Sequence, residues 1–272
     1  MRLSSTLFET SQPYWQDYLP FLQHLAGRGL PSCEQLNALL PEGLSSASGH
    51  AIRFVPSSQL IDDGYEHRIY TTGQVSTRPD NWHDLFNALV WMRYPRIKVA
   101  MNALHHRAGP LQAGGKRGCL RDALTLFDEC GVMVISDQPD FLDALARRHW
   151  LRAFQTPEFS TSVALSVCGH AMLEKYLTPY KSMTAKALLI QVSTGLMNTP
   201  RPELLRVLDT EISTGMLNGH LLTRPASLTP LPLAGVPGWW PEDEQSDDDF
   251  YLDTQVFRAP PSALIPTPII QI

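Results

Sequence analysis

Long apolar runs are missing from this chain. The segment from Leu85 to Met92 is interrupted only by Asn87, and its length suits a buried helix, because a membrane-spanning helix needs about 20 apolar residues. The first residues, MRLSSTLFETSQPYW, contain one Arg and then Glu9 without an apolar block, so no signal peptide is expected. We therefore expect a cytoplasmic protein without a membrane partner.

Cysteine is also scarce, and its pattern excludes common cysteine sites. The four cysteines form no CxxC pair and no zinc-ribbon spacing. Without an export signal they are expected to be reduced thiols, most of them buried. A G-x-S-x-G sequence is absent too, which removes the most recognisable signature of a serine hydrolase.

A basic excess is lacking as well. The net charge is −5, and the segment EDEQSDDD alone holds six acids, so the rest of the chain carries +1. Nucleic acid is an unexpected partner, since surfaces that bind it normally show a clear basic excess. A local site for a small anionic molecule stays open, and the acidic segment is interpreted as a solvated loop.

What is present predicts a compact, helix-rich protein. Apolar residues make up 43% and charged residues 18% of the chain, which allows a sizeable core. The predicted fold class is α+β: an α-rich single domain over residues 1–258 with a small mixed β-sheet and a proline-rich C-terminal arm. Residues 259–272 are expected to form a tail.

Helix signals are clearest at the centre of the chain. Asp80 or Asn81 can cap one helix, and Pro95, which lacks an N–H, ends that helix and begins the next. Residues 80–107 are therefore predicted to form a helical hairpin or a kinked pair. A capping-box pattern that begins at Ser32 predicts a short helix there. Further helices are predicted over residues 119–130, 137–154, 161–177 and 200–212.

Strand signals are shorter. β-branched and aromatic residues favour strands at 51–55 and 65–77, and the apolar sequence VMVIS favours a strand at 132–136. Residues 184–193 fit either a helix or a buried strand, and residues 250–258 fit one edge strand.

Two polar stripes run along the central helices. His83 and Asn87 lie on one side of the first helix, while Lys98, Asn102 and His105 cluster on the second at spacings of four and three. A hairpin would turn these stripes toward each other or toward a third element. The polar residues would then meet at the edge of an apolar core.

A metal-ligand spacing occurs later in the chain. His170 and Glu174 lie four residues apart in a predicted helix, and two side chains at that spacing can share a metal ion. His83 or His105 could add a third ligand and leave one position for water. Three interpretations stay open: a divalent metal site, a polar network that joins buried helix ends, and metal-free acid–base catalysis.

The basic, Gly-rich segment at 108–118 differs from a P-loop. Lys116 comes one residue late, Arg117 stands where Ser or Thr would bind magnesium, and the segment follows a helix. It either binds an anion at the next helix or is a solvated loop. The turn GVPGWW either packs Trp239 and Trp240 on the body or offers them as a stacking surface.

Several motifs resemble one family. TRPDNWHDLFNALVWMRYPRIKVAMNALHH, RDALTLFDECGV, GHAMLEKYLTPY, LPLAGVPGWWPE and FYLDTQVFR occur in this order and are similar to the bacterial family catalogued as domain of unknown function 3025. The resemblance spans roughly Tyr14 to Arg258. It implies a single bacterial domain, and it implies neither an activity nor a catalytic residue.

The leading hypothesis is an enzyme that hydrolyses a small anionic substrate, either by acid–base chemistry or by metal-assisted chemistry with a divalent metal as its cofactor. The competing hypothesis is a non-catalytic module that binds a nucleotide, nucleic acid or protein through the basic Gly-rich segment and the tryptophan turn. The candidate residues are His83, Asn87, Asn102 and His105 for catalysis, Lys98, Lys116, Arg117 and Trp239 for substrate binding, and His83, His170 and Glu174 for the metal.

Overall fold

The computed structural model describes residues 12–25, 29–60, 64–109, 118–155, 162–247 and 249–272. About 48% of the structure is helical and 15% is strand, which confirms the α-rich α+β class. The chain forms two compact units: the first holds residues 15–125 and 205–224, and the second holds the rest of the described chain. A single domain over residues 1–258 stays a prediction.

The first unit contains short helices and a two-stranded sheet. Its complete elements are α1 (Leu19–Leu25), α2 (Cys33–Asn37), β1 (Arg53–Pro56), α3 (Tyr65–Thr72), β2 (Gln74–Thr77), α4 (Trp82–Arg93) and α5 (Pro95–Arg107). The predicted capping box before α2 is confirmed, because the Ser32 side chain accepts from the Gln35 backbone while the Gln35 side chain accepts from the Ser32 backbone.

Strands β1 and β2 pair in parallel, with α3 between them in the chain. The strand predicted over 65–77 is therefore wrong for α3 and confirmed only for β2. Thr71 and Thr72 fit the helix because their hydroxyls donate to the carbonyls four residues earlier. Gly73 ends the helix at a left-handed φ of 71°, where a side chain would collide with the Ala51 carbonyl.

The central helix pair is confirmed. The Asn81 side chain caps α4 by accepting the Asp84 N–H at 2.9 Å, and Pro95 stands at the start of α5. One residue, Tyr94, separates the two helices. Apolar residues dominate the buried faces of both helices, so the pair forms much of the core of the first unit.

Two helices have residues in both units, and the remaining elements belong to the second. The shared helices are α6 (Cys119–Cys130) and α11 (Arg201–Leu217). The others are β3 (Gly131–Ser136), α7 (Pro139–Ala146), α8 (Trp150–Phe154), β4 (Val163–Val167), α9 (His170–Lys175), β5 (Thr184–Gln191), α10 (Thr194–Met197), β6 (Thr229–Pro232), α12 (Glu242–Gln245) and β7 (Ile269–Gln271). Among the described residues, none of the helices combines the length and apolar character needed to cross a membrane.

A mixed sheet organises the second unit in the order β4-β3-β5-β6, and β7 also pairs with β5. β3 runs parallel to β5 and antiparallel to β4. The strand predicted at 132–136 is confirmed as β3, and the ambiguous segment 184–193 contains β5. The proline-rich arm supplies β6, antiparallel to β5, and β7, parallel to it.

The long helix predicted over 161–177 is wrong. Its first part is β4, where Val163, Leu165 and Val167 alternate with smaller residues, and α9 begins only at His170. This two-residue alternation is typical of a strand, and antiparallel pairing with β3 stabilises it. His170 therefore lies at the start of a short helix, whereas the sequence predicts it inside a long one.

Two other segments also differ from expectation. The helix predicted over 137–154 is split into α7 and α8, since Arg148 adopts a left-handed φ of 59° between them. The edge strand predicted over 250–258 is wrong: the segment begins with a 3-10 turn, and its aromatic residues form a cluster. The aromatic side chains of Phe250, Tyr251 and Phe257 pack against one another. Their spacing in the sequence therefore reflects this cluster and not the two-residue alternation of a strand.

Asp209 in α11 ties that helix to the start of α5. Its carboxylate accepts the backbone N–H groups of Arg96 at 3.1 Å and Ile97 at 2.9 Å, which have no partner within their own helix. Asp209 is 4% exposed. Burial raises its pKa to about 6, although these two hydrogen bonds and the charges of Arg96 and Arg93 oppose the shift.

This shift predicts a loss of stability on going from pH 4 to pH 6. The folded state binds the Asp209 proton more tightly than the unfolded state does. Protonation of Asp209 therefore stabilises the folded state fully below about pH 4, and this stabilisation is lost by about pH 6. The free energy of unfolding should fall by roughly 3 kcal/mol across this range. Asp209→Asn should flatten this part of the stability profile, as measured by urea unfolding at pH 4, 5, 6 and 7.

Asp143→Asn is the matched control, because Asp143 is exposed and pairs with Arg147 on the surface. It should leave the wild-type profile between pH 4 and 6 in place. Parallel profiles for wild type and Asp209→Asn would contradict the assignment.

Candidate metal centre

A close backbone contact joins the end of α6 to the turn before α9. The Gly131 carbonyl, at the first position of β3, accepts the N–H of Cys168 at 2.9 Å and that of Gly169 at 2.8 Å. The β4–α9 turn is thus bonded to the α6–β3 junction. Any side chain in the last turn of α6 is brought close to the first residue of α9.

Two glycines make this contact possible. A Cβ on Gly169 would lie 2.6 Å from the backbone nitrogen and the carbonyl carbon of Cys130, and a Cβ on Gly131 would lie 2.7 Å from the Phe127 ring. Real Cβ atoms do not approach other atoms so closely. Gly169 has an ordinary φ of −82°, which any residue can adopt. Glycine is required here because there is no space for a side chain.

His170 lies between two carboxylates as a result. Its Nδ1 is 3.8 Å from Oδ2 of Asp128, and its Nε2 is 3.6 Å from Oε2 of Glu129. The His170 side chain is 6% exposed, that of Asp128 16% and that of Glu129 41%. The imidazole is therefore fixed in the interior, whereas Glu129 opens toward solvent.

This donor set favours a cation. The Nε2 nitrogen of His170 and the Glu129 carboxylate are ligands that Zn²⁺, Mn²⁺ and Fe²⁺ accept, whereas Asp128 faces the other ring nitrogen. The neighbouring Cys130 is less suited to a thiolate role, because burial raises the pKa of its thiol, an effect opposed by Lys175. The local chemistry is therefore that of a nitrogen and oxygen site.

Of these three residues, His170 is predicted from the sequence, where it is paired with Glu174, which lies on α9 and whose metal role stays a prediction. Asp128 and Glu129 are not predicted, because their proximity to His170 depends on the pairing of β3 with β4. Assigning VALSV as a strand would have revealed them, since antiparallel pairing brings the end of α6 to the start of α9.

The polar stripes of the central helices are bonded within the first unit. Lys98 Nζ donates to Asn87 Oδ1 at 2.9 Å, and Asn87 Nδ2 donates to the Tyr65 hydroxyl at 2.7 Å. Asn102 Nδ2 donates to the Glu66 carboxylate at 2.7 Å. The structure thus brings Asn87 and Lys98 together, and these contacts fit the interpretation of a network that joins helices.

The two histidines of this stripe differ in exposure. His83 is half-buried in the first turn of α4, and His105 is buried near the end of α5. The His105 backbone carbonyl accepts from Arg121 Nη2 at 3.2 Å. Catalytic roles for His83, Asn87, Asn102 and His105, and a substrate-binding role for Lys98, stay predictions.

The remaining substrate-binding candidates are less defined. Lys116 and Arg117 lie outside the described residues. Trp239 is buried edge-on against Tyr14 and Tyr176, and the Trp240 indole donates to Glu244 at 2.9 Å. The contacts of Trp239 fit the interpretation that this turn packs on the body.

Comparison with known proteins assigns a family. The family described as "Protein of unknown function (DUF3025)" matches residues 52–260. The chain belongs to this family. The match begins later in the chain than the resemblance over Tyr14 to Arg258 predicted. Neither the curated proteins nor the solved structures gave a match.

The glycine contact yields a direct test. Gly169→Ala should lower the free energy of unfolding by about 1–3 kcal/mol, because the new methyl group must displace backbone atoms of Cys130 and Gly131. Urea unfolding at neutral pH measures the change. The control is Gly195→Ala, where the nearest neighbour of a Cβ is 3.9 Å away; equal stability of the two variants would contradict the proposed constraint.

Proposed function

We propose that this member of the family binds a divalent transition-metal ion through His170 Nε2 and Glu129 Oε2. The observation that supports the proposal is the separation of these two atoms, 3.6 Å. It is long for a hydrogen bond. Two ligands at about 2.1 Å from a tetrahedral ion lie about 3.4 Å apart, so the pair needs little movement to share one.

Asp128 fits the role of an outer partner. Its carboxylate faces the other ring nitrogen, Nδ1, at 3.8 Å. Histidines that bind metals commonly donate their second N–H to a carboxylate, which fixes the tautomer and makes the binding nitrogen more basic. Asp128 is also the less exposed of the two acids, as expected for a residue behind the ligand.

Further ligands come from the sequence-based hypothesis. It names His83 as another ligand and Glu174 as an alternative carboxylate, and both assignments are part of this proposal. A site with two or three protein ligands leaves positions for water and substrate. The exposure of Glu129 supports access from solvent.

The chemistry we propose for this site is hydrolysis of a small anionic molecule in the cytoplasm. A bound divalent ion lowers the pKa of a coordinated water toward neutrality and polarises an anionic substrate. Hydrolysis depends on the metal site, so metal binding is tested first.

The test is the metal content of protein purified without chelator. Wild type should carry close to one ion per chain by elemental analysis. After this ion is removed, added Co²⁺ should bind and produce a visible absorption band. His170→Ala and Glu129→Gln should lose the ion, whereas Asp128→Asn should weaken binding by about 10–100-fold. His83→Ala decides whether His83 is a ligand.

Matched controls separate ligand loss from general damage. His149→Ala and Glu203→Gln remove exposed residues of the same types from the second unit and should retain the ion. Folded wild type without metal after exposure to Zn²⁺, Mn²⁺, Fe²⁺ and Co²⁺ would refute the proposal. Full metal content in His170→Ala would refute the assignment of the site.

A further inference from the structure

Two buried polar atoms of the central helix pair have no hydrogen-bond partner among the described residues. They are the indole Nε1 of Trp91 in α4 and the amide Oδ1 of Asn102 in α5. Trp91 is 1% and Asn102 2% exposed. A buried polar atom costs free energy unless it is hydrogen-bonded, and most such atoms in proteins have a partner. The two atoms therefore indicate a place where a polar molecule binds.

The orientation of the Asn102 amide is fixed by Glu66. Asn102 Nδ2 donates to the Glu66 backbone carbonyl at 2.8 Å and to the Glu66 carboxylate at 2.7 Å. Both partners are acceptors, so only the NH₂ end of the amide can face them. Asn102 Oδ1 is the other end of this amide, and it requires a donor.

Lys98 lies next to both residues. Its Nζ is 5.4 Å from the centre of the Trp91 ring, and Asn102 follows Lys98 by one turn on the same face of α5. Lys98 is 4% exposed and donates to Asn87 Oδ1 at 2.9 Å. An ammonium group, an indole N–H and a carboxamide oxygen thus lie close together in the core of the first unit.

This cluster reaches solvent at the first turn of α3. The Tyr65 hydroxyl accepts from Asn87 Nδ2 at 2.7 Å, and Tyr65 is 39% exposed. Glu66, which accepts from Asn102, is half-buried and follows Tyr65 in the chain. We therefore expect a ligand to enter past this turn.

We propose that Glu66, Trp91, Lys98 and Asn102 bind a small α-amino acid as its zwitterion. The carboxylate of the ligand accepts from Lys98 Nζ and Trp91 Nε1, and its ammonium group donates to Asn102 Oδ1 and the Glu66 carboxylate. Lys98 and Glu66 carry opposite charges, which the two charges of a zwitterion complement. Because Trp91, Lys98 and Asn102 are enclosed, the ligand has a small side chain, as in glycine, alanine or serine.

A ligand with a single charge fits this cluster less well. Acetate would accept from Lys98 and Trp91, but it would leave Asn102 Oδ1 without a donor and bring a second negative charge near Glu66. Methylammonium would donate to Asn102 and Glu66, but it would leave Trp91 Nε1 without an acceptor and bring a second positive charge near Lys98. A molecule with both groups satisfies the two buried atoms at once. The site uses residues of the first unit alone and does not require the metal proposed above.

The test is isothermal titration calorimetry with glycine, L-alanine and L-serine, and with acetate and methylammonium as single-charge probes. Wild type should bind at least one of the three amino acids at millimolar concentration or below, and it should bind both single-charge probes more weakly. Binding should be the same with and without a chelator, which distinguishes this site from the metal site.

Two variants test the assigned contacts. Trp91→Phe removes the N–H donor and keeps an aromatic ring, so it should weaken amino-acid binding by about tenfold or more, as expected for a hydrogen bond to a charged group. Lys98→Met removes the ammonium group from a side chain of similar length and should weaken binding at least as much. Trp150→Phe is the matched control, because the Trp150 indole is also buried but donates to the Arg258 carbonyl at 2.8 Å. It should bind the amino acid like wild type.

Circular dichroism and thermal unfolding check that each variant is folded. Absence of binding of all three amino acids to folded wild type would overturn the proposal, as would equal affinities in wild type and folded Trp91→Phe. Equal binding of acetate and glycine would overturn the zwitterionic class of ligand. Loss of binding in the presence of the chelator would overturn the assignment to these residues.

Discussion

The backbone contact between Gly131 and Gly169 is the constraint on which the second unit depends. One carbonyl accepts two N–H groups there, and the glycines let two backbone segments approach more closely than any side chain would permit. The same contact begins the β3–β4 ladder and places His170 beside Asp128 and Glu129. Backbone packing thus sets the geometry of the candidate centre. Its side chains come from the end of α6, which carries Asp128 and Glu129, and from the start of α9, which carries His170.

Buried polar groups in the first unit illustrate a different principle. Lys98 is 4% and Asn87 8% exposed, and each desolvated group requires hydrogen bonds to be tolerated. The bond between them joins α4 to α5, and the Asn87–Tyr65 bond adds α3. The Asp209 carboxylate likewise accepts hydrogen bonds from two backbone N–H groups in the first turn of α5. These residue types are common in active sites, but here their contacts also serve to join helices.

The sequence predicts well what depends on neighbours in the chain. The cap at Ser32, the cap at Asn81 and the helix start at Pro95 each involve hydrogen bonds or steric effects within four residues, and all three are confirmed. The family resemblance is confirmed in the same way, since it rests on contiguous motifs. Local chemistry of this kind does not depend on which distant segments pack together.

Prediction from the sequence fails where contacts between residues far apart in the chain determine the structure. α3 and β4 were misassigned because single-segment composition cannot show which strand a segment will pair with. That error hid Asp128 and Glu129, whose proximity to His170 exists only after β3 and β4 pair. The metal hypothesis therefore named His170 for its helical spacing to Glu174 and did not name Asp128 and Glu129, which come from α6.

The candidate centre lies at one end of the β3–β5 strand pair. Gly131 is paired with Lys186 near this centre, and Ser136 is paired with Gln191 at the other end. Five residues at about 3.3 Å each separate these ends by roughly 17 Å. Substitutions so far apart usually have independent effects. A change at the Ser136–Gln191 end should therefore leave metal binding at the candidate centre unchanged, because that centre depends on the contact between the α6–β3 junction and the β4–α9 turn.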